Sequence, residues 1–208
     1  MRLKPVPEPP DDLGEVAAFQ RAVPLVPGTE DDCCARLRDR RDLPNRQVAN
    51  DWLAFLRALG LATETPSGFT RTDAEPTAER IRDGLRDGVL FAPEAIELLR
   101  AASHADPVTA TDLFEATRES VPRHDRARDP NWEAAWRERA DRLLRWFVLV
   151  DLAEPVDVDA DAGTDVDAGT DPGADVGTDP GAADRIGTGS AAYLVGDAVR
   201  SDDHRRSP

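Results

Sequence analysis

Residues 51–72 read DWLAFLRALGLATETPSGFTRT. With NRQVAN before them, Val48, Trp52, Phe55, Leu56 and Leu59 fall at i, i+4, i+7, i+8 and i+11. That 3.6-residue period predicts an amphipathic helix over 44–59 with those side chains inward. Gly60 stands where a helix ends on a left-handed residue. The following LATETPSGFTRT sets two short runs on either side of Pro66-Ser67-Gly68, which predicts a small hairpin.

Upstream, Leu13 to Val23 suits a short helix with Val16, Ala17 and Phe19 inward, and RDLPN breaks the chain before residue 44. Between them Thr29 is placed to cap EDDCCARLRD, whose first-turn acids suit the helix dipole. Residues 1–10, with four prolines, read as a flexible lead. The order helix, helix, short break, helix, hairpin, with a third helix ending Leu59-Gly60-Leu61, resembles the winged helix-turn-helix family over residues 11–74.

The pattern recurs. A shift of 91 places Leu53 on Leu144, Phe55 on Trp146, Leu56 on Phe147, Leu59 on Val150 and Leu61 on Leu152. Before the second copy lie an amphipathic segment (93–102) and TATDLFEATRES, starting near Thr109 or Thr111. Asp129 with Pro130 then opens the long helix NWEAAWRERADRLLRWFVLV. Thr77 to Leu85 reads as a linking helix within 75–92. The expected fold class is therefore mainly α with small β-hairpins (α+β), two winged helices over 11–74 and 93–200, and a disordered tail over 201–208.

In the second copy the hairpin is interrupted. The chain runs through DVDADAGTDVDAGTDPGADVGTDPGAAD (157–184) before AAYLVGDAV, where Tyr193 takes the role of Phe69. The Asp/Gly-rich stretch, taken as 155–190, has too little apolar surface to offset the entropy of ordering and reads as a disordered wing loop. Eleven acids and no base lie between Asp151 and Asp184, so this stretch carries most of the formal charge of −15. Lys4 is the single lysine beside 25 arginines, and Asp abounds. That composition resembles proteins of halophilic archaea. A GC-rich genome that replaced Lys codons by Arg gives a similar bias.

Other chemistries find little support. Asp157, Asp159 and Asp161 fit an EF-hand start, but Ala162 and Ala168 stand where it needs Gly and Glu. Cys33 and Cys34 are adjacent, without metal-ligand spacing, and read as packing residues. His104, His124 and His204 have no paired nucleophile, and no phosphate-binding, dinucleotide or hydrolase motif occurs. No enzyme, metal or cofactor is expected. With no apolar leader and no run of 18 apolar residues, the expectation is a cytoplasmic protein with no membrane contact.

A nucleic-acid reading has more to stand on. At 100° per residue, the face of helix 44–59 opposite its apolar stripe carries Arg46, Gln47, Asn50 and Arg57 and no acid. Arg pairs bidentately with guanine, and Asn or Gln with adenine, in a major groove. Arg46, Gln47 and Asn50 are the candidates for base edges, and Arg40, Arg41 and Arg57 for phosphates. In the wing, Ser67, Gly68 and Arg71 are candidates for phosphate or the minor groove, although alternation places Arg71 beside Phe69. The same arginines also read as a solvated face in a nearly lysine-free chain.

The second copy departs from this pattern. Its strip carries Glu138, Asp141 and Arg145, of mixed sign, after a turn of about eleven residues, SVPRHDRARDPN, where the motif uses three or four. Trp132, Trp136 and Trp146 belong to a core or an interface. The expectation is a double-stranded-DNA-binding transcription regulator, its second domain serving a homodimer or a protein partner. The alternative that the resemblance implies is a scaffold in chromosome-segregation, transcription or membrane-remodelling complexes.

Overall fold

A computed structural model of the chain describes residues 5–156 and 191–200. The first half holds α1 (Leu13–Ala22), α2 (Glu30–Arg41), α3 (Arg46–Ala58), β1 (Ala62–Thr65) and β2 (Gly68–Arg71). Each helix starts on a side-chain cap: Asp12 accepts from the Glu15 amide, Thr29 and Asp32 form a reciprocal capping box, and Asn45 accepts from Val48. Trp52, Phe55, Leu56 and Leu59 are buried as the period predicts, joined by Ala49 and Leu53, whereas Val48 is only half-buried. β1 and β2 pair antiparallel from Ala62–Arg71 to Thr65–Gly68, and Gly28 bridges Phe69 as the rudiment of a third strand. A Cβ on Gly68, at φ 122°, would lie 2.2 Å from the Gly28 carbonyl, so this approach requires glycine.

The linking helix α4 (Ala78–Gly88) follows its Thr77 cap and runs three residues beyond its expected end. The second half holds α5 (Ala92–Ala101), β3 (Val108–Thr109), α6 (Ala110–Thr117), α7 (Arg123–Arg128), α8 (Trp132–Leu149), β4 (Ala153–Val156) and β5 (Ala192–Val195). Its antiparallel sheet has the order β3-β5-β4.

This half repeats the first in detail. The Thr109–Asp112 capping box matches Thr29–Asp32, an offset of 80. The amide of Leu61 donates to the Leu56 carbonyl at 2.8 Å, as Leu152 does to Phe147 at 2.9 Å, an offset of 91. Tyr193 pairs with both Val108 and Pro155, as Phe69 does with Gly28 and Glu64, an offset of 124. The offset grows in two places, the turn before α8 and the β4–β5 connection. Cys33 and Cys34, both buried and free, occupy the places of Leu113 and Phe114 and pack as apolar residues. Burial raises both thiol pKa values.

Three expectations need correcting. The segment read as one long turn between α6 and α8 contains a 3-10 turn (Arg118–Ser120) and the helix α7. α8 does not open at Asp129: Asp129 instead accepts from the Asn131 amide at 2.8 Å in a local turn, and the helix begins at Trp132. The lead is held from Pro5 onward, with Val6 4% exposed and the Pro7 carbonyl accepting from Trp146 Nε1 at 2.8 Å. Pro155 and Val156 belong to β4, and the rest of the expected acidic loop lies outside the described residues, as does the 201–208 tail.

One apolar core runs through both halves. At its centre α3 meets α8: the Phe55 and Trp146 rings are 4.8 Å apart, and Trp52 meets Trp146 edge-on at 6.0 Å. Phe55 and Trp146 occupy equivalent positions, so the halves meet through the same point of each third helix. Each such buried ring contributes on the order of 2–3 kcal/mol. This contact fixes which face of each third helix is left for solvent.

Candidate nucleic-acid interface

α3 turns Trp52 and Phe55 toward α1 and α8, which leaves the strip of Arg46, Gln47, Asn50, Ala54 and Arg57 at the surface. Arg46, Gln47 and Arg57 are exposed; Asn50 and Ala54 are half-buried. Ala54 went unremarked in the sequence. A small side chain in mid-strip lets another surface approach the helix backbone.

The strip residues have nearby partners. Arg46 Nε donates to Asp31 at 3.0 Å and its Nη2 reaches Glu30 at 3.3 Å, both in the first turn of α2. Gln47 donates to Asp51 at 2.9 Å. Arg57 pairs with Glu64 of β1 at 2.6 Å and lies over the Phe69 ring at 5.1 Å. The Asn50 side chain makes no hydrogen bond within the described residues. The Arg46 and Arg57 side chains are 59% and 40% exposed, so solvent screens these pairs and they yield readily to another anion.

The acids facing Arg46 were legible only as helix-dipole partners. Their proximity follows from how α2 packs on α3, which no spacing along the chain encodes.

The remaining candidates lie elsewhere. Arg40 and Arg71 both donate to the Arg21 carbonyl of α1, at 3.5 and 3.3 Å. Arg41 lies over Phe19 at 4.5 Å and pairs with Glu15 at 3.6 Å. These three gather around α1 rather than flanking α3. Gly68 is committed to its contact with Gly28, and the Ser67 amide donates to Thr65 within the turn.

The equivalent strip of α8 differs in kind. An offset of 91 from Arg46, Gln47, Asn50, Ala54 and Arg57 gives Arg137, Glu138, Asp141, Arg145 and Val148. Carboxylates stand in place of both amides, and both are paired, Glu138 with the neighbouring Arg142 and Asp141 with Arg145 at 2.9 Å. Glu8 from the lead pairs with Arg142 and Arg145 and covers part of this face. Of the tryptophans, Trp136 and Trp146 are core, while Trp132 is half-buried beneath Arg118 and Arg126.

No group of three or more His, Cys, Asp or Glu among the described residues is placed to hold a metal ion. None of their helices is long and apolar enough to cross a membrane.

Two three-helix units, each closed by a hairpin and sharing one core, make this a tandem winged-helix protein. The family model of the halobacterial double winged helix domain matches residues 1–166, and the chain belongs to that family. Comparison with curated proteins and with solved structures gives no match.

Proposed function

We propose that the protein binds duplex DNA as a transcription regulator, with α3 entering the major groove and the second half serving as a built-in partner that orients it. The observation that carries this reading is the asymmetry of the third helices. α3 leaves Arg46, Gln47, Asn50 and Arg57 around a small Ala54, whereas α8 carries carboxylates and is partly covered by the lead. Arg46 exchanges Asp31 for guanine or phosphate at little cost, because the pair is exposed and the Debye length in molar salt is only about 3 Å. Counterion release is weak in such salt, so base contacts carry the larger share of affinity.

A second reading, a protein-interaction scaffold, draws on Glu30 and Asp31. These acids stand beside the strip, where they repel a phosphate backbone.

Retention on duplex DNA across a potassium chloride series separates the two. The Arg46→Ala, Asn50→Ala double variant is expected to lose at least about tenfold in affinity, since a good bidentate contact is worth ~1–3 kcal/mol. Its melting temperature stays close to that of wild type, because both side chains lie at the surface. Wild type that is retained at no salt concentration sinks the DNA reading. A stoichiometric protein partner recovered from native-salt lysate then supports the scaffold.

A further inference from the structure

Guanidiniums from three directions converge on the end of α1. Arg40 and Arg71 both donate to the Arg21 carbonyl, at 3.5 and 3.3 Å, and Arg36 Nε donates to the neighbouring Ala22 carbonyl at 3.4 Å. These bonds are long, and each engages only one of the donors its guanidinium carries. Arg21, Arg36 and Arg40 are exposed and Arg71 is half-buried. None of the four has an ion pair within the described residues. Glu15 is taken by Arg41, and Asp39 follows Arg38 in α2 without pairing. Asp73 and Glu75 line a hollow of about 400 Å³ with Arg21 and Arg71, again outside ion-pair distance.

The same corner carries the exposed large apolar side chains of the described residues, Leu25 and Val26, at 61% and 76% exposure. Leu25 lines the hollow beside Arg21 and Arg71. Their loop is pinned to β2: the Leu25 carbonyl accepts from Thr70 Oγ1 at 2.8 Å, the Pro24 carbonyl from the Arg71 amide at 3.0 Å, and Gly28 bridges Phe69. Leucine and valine are thus held out in solvent beside uncompensated positive charge.

Helix capping does not account for this corner. Cations suit a helix C-terminus, where open carbonyls need donors. Yet the second half builds the same fold without them: at the offsets of 80 and 124, Arg36, Arg40 and Arg71 correspond to Ala116, Ser120 and Val195. Its loop over 103–107, SHADP, carries no large apolar residue either.

We propose that this corner is a docking surface for an acidic, apolar segment of a partner protein. Its carboxylates sit on Arg36, Arg40 and Arg71, which can each grip a carboxylate with two parallel bonds, and its aliphatic side chains cover Leu25 and Val26. A nucleic-acid backbone supplies phosphate but nothing for the leucine and valine to bury, which favours protein as the occupant. In molar salt charges are screened beyond about 3 Å, so direct pairing and apolar burial together carry the contact. The surface uses the second half of α2, whereas Arg46 meets its first turn, so the proposal stands or falls independently of the DNA reading.

The test is fluorescence anisotropy of a labelled peptide of about twelve residues, leucines alternating with pairs of glutamates, titrated with the full chain in molar potassium chloride. Two control peptides carry glutamine for glutamate or serine for leucine. Saturable binding of the first peptide is expected, weakened at least about tenfold in either control. The same loss is expected in two double variants, Arg36→Ala with Arg40→Ser, and Leu25→Ser with Val26→Ser. The first installs the residues of the second half and the other changes side chains already in solvent, so both keep a melting temperature near wild type. Absence of peptide binding to folded wild type overturns the proposal, as does binding that either double variant leaves unchanged. Duplex DNA is titrated in parallel, and its affinity is expected to be the same for wild type and the Arg36→Ala, Arg40→Ser variant. DNA affinity that falls in that variant, with no peptide binding, makes this a phosphate-binding surface and overturns the assignment to protein.

Discussion

Arg46, Gln47 and Asn50 share a face because the helical period places them there, and that much was legible in the sequence. The Gln47–Asp51 bond follows the same spacing, four residues along one helix, but Arg46 meets Glu30 and Asp31 only because α2 packs on α3, which the sequence does not encode. Asp51 carries a prediction at this scale. Burial pushes its carboxyl pKa up, against the Gln47 hydrogen bond and the fields of Arg139 and Arg142, which pull it down. The folded state therefore holds this proton more tightly than the unfolded chain. Stability falls as pH rises from the unfolded carboxylate range (~3.9) through the raised folded value, and above it the penalty is full. Asp51→Asn keeps an acceptor for Gln47 and removes the penalty. It is expected to melt above wild type at pH 7, with the gap closing below about pH 4. Parallel melting curves across that range would contradict this account.

Among the elements, α3 and its hairpin were readable because periodicity, a terminal glycine and a Pro-Ser-Gly turn all agree. α7 was not: RHDRAR has no apolar periodicity to mark six residues as helix, and only its packing on α8 reveals it. The ends of α3 and α8 show how one geometry tolerates two residues. Gly60 sits at φ 70° and its equivalent Asp151 at φ 59°, both left-handed. Glycine adopts this region freely, whereas a side chain there costs on the order of 1 kcal/mol. Gly60→Ala is expected to lower stability by about that amount. Asp151→Gly leaves it equal or slightly raised, because the Arg82 contact it removes is 3.8 Å long and the Asp151 carboxylate lies largely in solvent. Denaturant melts in constant potassium chloride read both; a larger loss from Asp151→Gly than from Gly60→Ala would refute the assignment.

For the molecule as a whole, the repeat was visible because the apolar positions of α3 and α8 keep one register. How the halves dock was not, since Phe55 and Trp146 read equally well as ordinary core residues. Their contact brings equivalent positions of the two copies together in one apolar core. The β4–β5 ladder is complete from Ala153–Val195 to Val156–Ala192. Replacing residues 157–191 by Asn-Gly, a two-residue turn suited to hairpins, is expected to leave the melting temperature in high salt within a few degrees of wild type. Loss of the cooperative transition would mean that the excised chain takes part in the fold.

The central claim, that α3 reads DNA while α8 holds it in place, is tested most directly in the native host. Genome-wide crosslinking of the tagged protein is compared with that of its Arg46→Ala, Asn50→Ala variant at equal abundance. The account predicts discrete sites sharing a sequence motif in wild type and their loss in the variant. Wild-type signal no greater than an untagged control, or sites that persist unchanged in the variant, would contradict it.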